Sequence, residues 1–154
     1  APQPLLDEAM QSLGWTAEDL DASIPPARAY AGAWHLVLAA REEKRLARLE
    51  YDFEPLRRLM LQHDLTTLQL VWRQSPGVFV SRNPFPVGGV VEDPATGAAA
   101  AALGGYLRAL EGSNAPEHIR VRQGEAMGRP SVIDVRIPRW GRIVVTGTAH
   151  HLDP

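Results

Sequence analysis

Two carboxylates stand side by side at Glu92 and Asp93, and Pro94, Ala95, Thr96, Gly97 and Ala98 follow. A carboxylate can take up a proton, deliver one, or accept a hydrogen bond from a substrate hydroxyl. Neighbours on an extended segment point to opposite sides, so Glu92 and Asp93 cannot face one substrate as an acid/base pair. Asp93 is therefore the candidate for chemistry, and its alternative role is to cap the helix that follows. That helix, over residues 96–110, opens with small side chains that leave its backbone approachable. The amides near Thr96, Gly97 and Ala98 have no acceptor within the helix. The helix dipole adds about half a positive charge at that end. A small carboxylate or phosphate is held readily there, unless the helix's own Asp or Thr caps it.

What must position this site is the helix itself, TGAAAAALGGYLRAL, in which Arg108 carries the one charge. A helix that is apolar all round is buried all round. In a chain otherwise made of short strands, the solution is a sheet wrapped around it; the plainer alternative is an ordinary core helix of an α+β domain. Gly104 and Gly105 each cost roughly 1 kcal/mol against alanine in a helix interior, a cost offset if they let a strand backbone come close.

The remaining elements follow from periodicity and punctuation. Leu5, Leu6, Met10 and Leu13 have helical spacing, with Gly14 as the stop. Residues 15–27 read as a connection with a possible helical turn, ended by Pro25-Pro26. The apolar run 33–39 reads as a strand, with 46–51 as its hairpin partner. Pro55 sits early in a second helix, which shows Leu56, Leu59 and Met60 on one face and closes at His63-Asp64. Leu68, Leu70 and Trp72 alternate with Thr67, Gln69 and Val71, a strand period. After the Ser75-Pro76-Gly77 turn comes a strand over 78–81, then a Pro/Gly-rich loop over 83–89. Strands are expected over 119–122, 131–137 and 142–146.

Composition excludes several functions. The chain has no cysteine, which removes disulfides, thiolate nucleophiles and cysteine metal sites and fits a cytoplasmic protein. A net charge of −2 gives no basic surface for nucleic acid. No apolar stretch is long enough to span a bilayer. His150-His151 lacks a spaced third ligand, so no metal site is expected. His35 lies on the 33–39 strand, either facing a cleft or satisfied at a strand edge. Arg57, Arg58, Arg120 and Arg122 read as solvated faces, and Trp34, Trp72 and Trp140 as packing residues. The opening Ala1-Pro2-Gln3-Pro4 reads like a linker between elements, so the chain is expected to begin inside a longer product.

Taken together, the motifs have an order. Arg82-Asn83-Pro84-Phe85 leads into Gly88-Gly89-Val90-Val91-Glu92-Asp93-Pro94-Ala95-Thr96-Gly97-Ala98. Gln123-Gly124, Met127-Gly128-Arg129-Pro130-Ser131 and Gly147-Thr148-Ala149 follow. In order and spacing this resembles the C-terminal half of the PhzF-like isomerases of phenazine biosynthesis, across nearly the whole chain. The resemblance implies an α+β fold like that of diaminopimelate epimerase, with an antiparallel barrel-like sheet wrapped around a central apolar helix. Residues 1–154 would then be a single C-terminal domain. The partner half, carrying a glutamate base, would lie outside this chain.

The implied activity is proton transfer at carbon on a small carboxylic acid, without a cofactor, in a cleft between two domains. Asp93 would contact the polar substituents of the substrate or shuttle protons. The Gly97 and Ala98 amides beside Thr96 would hold the acid, and Gln123-Gly124 would line the cleft. The best-known members have a serine where this chain has Ala98, which keeps the amide and loses a hydroxyl. The implied partner is the N-terminal half or a second copy of the chain. The alternative is a self-associating acid-binding or structural domain without turnover.

Overall fold

A computed structural model describes residues 1–148. Its strands β1 (Ala27–Tyr30), β2 (Trp34–Ala39), β3 (Leu65–Ser75), β4 (Val78–Pro84), β5 (Glu92–Asp93), β6 (His118–Gln123), β7 (Ser131–Arg136) and β8 (Val144–Thr146) form one sheet. They lie in chain order, β1-β2-β3-β4-β6-β7-β8, with the short β5 paired to the end of β4. Pairing is antiparallel except for β2 with β3 and β4 with β6, which run parallel. Parallel neighbours need a crossover. The first is made by helices α2 (Glu43–Ala47) and α3 (Phe53–Gln62), the second by helix α4 (Gly97–Glu111).

The crossovers cover opposite faces of the sheet. On one face, Leu56, Leu59 and Met60 of α3 and Leu5, Ala9 and Leu13 of α1 (Gln3–Leu13) pack on Leu36, Leu38, Leu68 and Leu70. On the other, Ala100, Leu103 and Leu107 of α4 pack on Val37, Ala39, Val71, Phe79, Val121, Ile133 and Val135. A strand with both faces covered reads as a continuous apolar run, which is why 33–39 lacks alternation. The sheet curls around α4, giving the expected α+β half-barrel. Gly14 ends α1 at φ 60, where its amide reaches the Gln11 carbonyl.

Several expectations are corrected. Residues 46–51 are not the hairpin partner of β2; most of α2 lies there or just before it, and the neighbours of β2 are β1 and β3. The loop expected over 83–89 starts later, because Asn83 and Pro84 still belong to β4. Enclosure of α4 is one-sided: Ala98, Ala109 and Leu110 are exposed. Alanines make that open side look apolar in the sequence without requiring burial. Gly104 admits side chains rather than a backbone, since a Cβ there would lie 3.0 Å from Val135 Cγ1 and 3.2 Å from Ile137 Cγ1. Trp34 and Trp72 pack against the first core, whereas Trp140 is 83% exposed and packs on little. Arg120 and Arg122 are tied to Asp134 and Glu125 on the outer surface.

Candidate active site

The short strand β5 splits the two carboxylates, as an extended segment must. Glu92 turns toward α2 and is buried. Its carboxylate accepts two bonds from Arg82, at 2.9 Å from Nε and 2.6 Å from Nη2. The same guanidinium donates to the Leu46 and Ala47 carbonyls, at 3.3 and 3.1 Å. Tyr51 donates its hydroxyl to the Val91 carbonyl. Burial, with the Glu92 charge nearby, pushes the Tyr51 phenol up to about 12. Glu92 is therefore an anchor, held by a bidentate pair that fixes where β5 lies.

Asp93 turns the other way, toward the start of α4. Its Oδ2 accepts the Thr96 hydroxyl at 2.7 Å. Gln123, 2% exposed, clamps both ends of this turn. Its Nε2 donates to the Asp93 carbonyl at 2.7 Å and to Thr96 Oγ1 at 2.9 Å, and its Oε1 accepts the Thr96 amide at 3.1 Å. Asp93-Pro94 does not cap the helix. Thr96 occupies the cap position, and its side chain is spent on Asp93 rather than on the helix amides. The first helical bond runs from the Ala100 amide to the Thr96 carbonyl at 3.0 Å. The Gly97 and Ala98 amides thus have no helical acceptor; Gly97 is half-buried and Ala98 exposed.

Gly124 lies beneath this turn. Its φ is +80, and a Cβ would fall 2.1 Å from the Arg129 carbonyl oxygen and 2.8 Å from that of Pro94. Ser131 donates to the Pro94 carbonyl at 3.0 Å, tying the start of β7 to the same loop. Gln123 and Gly124 hold the loop from below, while Asp93, Gly97 and Ala98 form its outer face. Close positioning of a carboxylate beside two amides that have no partner among the described residues suits an acid with a nearby polar group.

His35 is not at a strand edge. It is wholly buried on β2, between Ala29 of β1 and Thr67 of β3. Burial lowers its pKa to about 4. Nothing near Tyr51 in the chain marks its contact with Val91. Arg82 and Asn83 belong to the motif, and the pairing of β4 with β5 separates their roles. Among the described residues, no cluster of His, Asp or Glu could hold a metal ion, and no helix is long and apolar enough to cross a membrane. His150 and His151, and Ala149 of the closing motif, lie outside the described residues.

The sheet forms a half-barrel around α4, whose first turn carries the Asp93 loop. Residues 4–152 match the family of phenazine biosynthesis-like proteins, and the chain belongs to that family. It is 29% identical over 137 residues to an uncharacterized isomerase of Deinococcus radiodurans, covering 84% of this chain and 43% of that protein. A PhzF-family phenazine biosynthesis protein of Bacillus anthracis shares its fold at a TM-score of 0.70 and 18% identity, over 90% of this chain and 49% of that one. A predicted epimerase of Pseudomonas aeruginosa does so at 0.71 and 24%, over 95% and 51%. The chain therefore spans about half the length of the relatives it matches.

Proposed function

We propose that this chain is the C-terminal half of an isomerase or epimerase that moves a proton at carbon in a small carboxylic acid, without a cofactor. The observation that carries this reading is the uncapped start of α4 beside the Asp93 carboxylate, with Gln123 fixing both. The acid group lies at the Gly97 and Ala98 amides. Fixed donors at that end stabilise the charge that develops as the carbon gives up its proton. Asp93, oriented by Thr96, receives a hydroxyl or passes a proton. A second carboxylate, the general base, comes from an N-terminal half that closes the cleft over Ala98. With alanine there, recognition runs through the backbone, so the substrate need not be the phenazine precursor.

The test joins this chain to an N-terminal half of its family and follows deuterium uptake from heavy water into small carboxylic acids. Asp93→Asn should cut exchange by roughly 10²-fold or more, the usual contribution of a positioned acid/base group. Unchanged exchange in that variant would remove Asp93 from the mechanism. A chain that pairs with itself and binds acids without exchange would replace this reading by an acid-binding domain.

A further inference from the structure

A row of buried polar side chains crosses the concave face of the sheet toward the site. It starts at His35 on β2, continues through Thr67 and Gln69 on β3 and Ser81 and Asn83 on β4, and reaches Gln123 on β6; none is more than 2% exposed. Register sets it out, because paired residues project to the same side: His35 with Thr67, Ser81 with Gln123, and Asn83 with Asp93. The face is the one that α4 covers, since Val37, Val71 and Phe79 share it. Asn83 Nδ2 donates to Gln69 Oε1 and, at 3.4 Å, to Thr67 Oγ1. Thr67 lies 2.9 Å from His35 Nδ1. The Thr67 hydroxyl can accept from Asn83 and either donate to Nδ1 or accept from it, so His35 Nε2 is a donor in one tautomer and an acceptor in the other.

Four buried atoms of this row have no partner among the described residues: His35 Nε2, Gln69 Nε2, Ser81 Oγ and Asn83 Oδ1. Buried polar groups are satisfied in almost all native proteins, so these four call for a ligand. Gln69 Nε2 is an N–H donor, Asn83 Oδ1 is a carbonyl acceptor, and the Ser81 hydroxyl and His35 Nε2 can each be either. An anion would meet the Asn83 oxygen, and a cation would meet the Gln69 N–H group. Water, with two hydrogens and two lone pairs, matches the set and needs only two to four such partners.

We propose that His35, Gln69, Ser81 and Asn83 hold bound water beneath the first turn of α4, and that this hydrated row, through Gln123, positions Asp93 and the Gly97 and Ala98 amides. Side-chain amides at Asn83, Gln69 and Gln123 neither gain nor lose a proton at neutral pH, so the row orients the site and does not conduct to it. What it says of Asp93 rests on the proton-transfer reading above; the hydration itself does not.

The experiment is water-contact NMR on the full chain, recording cross-peaks between long-lived water and the side-chain amides of Gln69, Asn83 and Gln123. It is repeated in Ser81→Ala, a minimal change, and in Gln69→Met, which keeps the volume. The expected result is water contact at Asn83 and Gln69 in the wild type and its loss or weakening in the variants. Shifts of the Thr96, Gly97 and Gln123 resonances should accompany that loss. In the two-half enzyme, either variant should lower kcat about tenfold or more, as for a small misplacement of reacting groups, with KM little changed. No water contact at any of the three amides overturns the proposal. So do variants that lose the water while the Thr96, Gly97 and Gln123 resonances stay in place. Because neither NMR readout involves a substrate, a failure of the proton-transfer reading leaves these outcomes intact and is recognised separately.

Discussion

Acidification should weaken the fold through His35. Its ring is wholly buried, and burial lowers its pKa from 6.5 to about 4. The unfolded chain therefore binds a proton at this residue between those values while the folded chain does not. Stability contributed by the neutral buried ring is fully present above pH 6.5. It falls as pH drops from 6.5 toward 4, with a slope of about 1.4 kcal/mol per pH unit for the one proton. Below about pH 4 the folded ring is protonated as well and the loss levels off. The whole drop is at most about 3 kcal/mol, because complete exclusion of solvent is the upper limit of the effect. That is a large share of the stability of a domain this size. The assay is urea unfolding at pH steps from 7.5 to 3.5 for the wild type and His35→Leu. The variant should lose the His35 slope, so the gap between the curves should change progressively between pH 6.5 and 4. Parallel curves across that range would mean that His35 titrates normally in the folded protein, and the burial argument would fail with it.

Other substitutions separate packing from backbone effects. Gly105→Ala should stabilise α4 by up to about 1 kcal/mol in thermal unfolding, because a Cβ there meets nothing nearer than Ile143 at 4.0 Å. Gly104→Ala should instead lose about 1 kcal/mol, since Val135 and Ile137 must move aside. Gly124→Ala should cost about 3 kcal/mol or more, from a positive φ and overlap with two carbonyl oxygens, and urea midpoints will show it. Arg82→Ala should cost about 3–5 kcal/mol by leaving Glu92 buried without its partner, whereas exchanging both residues for apolar ones should recover much of that loss.

Local signals carried α1, α3, α4, most strands and the motif, because each depends on residues close in sequence. Gly14 and Pro55 mark helix boundaries wherever they occur in such a pattern. The parallel neighbours β2 and β3 could not be read, since their crossover passes through α2, whose short EKRLA segment has no length to show a helical period. Nor could the open side of α4, because alanine fits an exposed face and a buried one equally. At the site, the motif marked Asp93 and the small residues after it. That Gln123 serves as a clamp, and that His35, Asn83 and Gln69 share one face, depends on register across strands, which no single segment contains. Glu92 and Asp93 were separable beforehand only because extended backbone leaves no choice.

The two cores also differ in when they can be completed. Every buried residue of the first lies between Leu5 and Leu70, whereas the second draws on Ile24 through Ile137. A chain leaving the ribosome has all the buried residues of the first core long before α4 and the later strands emerge. Assembly is then expected to start from that side, each new strand adding to the edge of the last. In reverse, β8, β7 and β6 can detach in turn without exposing the first core, so hydrogen exchange should be fastest at β8 and slowest at β2 and β3. The loop carrying Asp93 belongs to the later-forming side, and its geometry is set only once β6 has closed against β4.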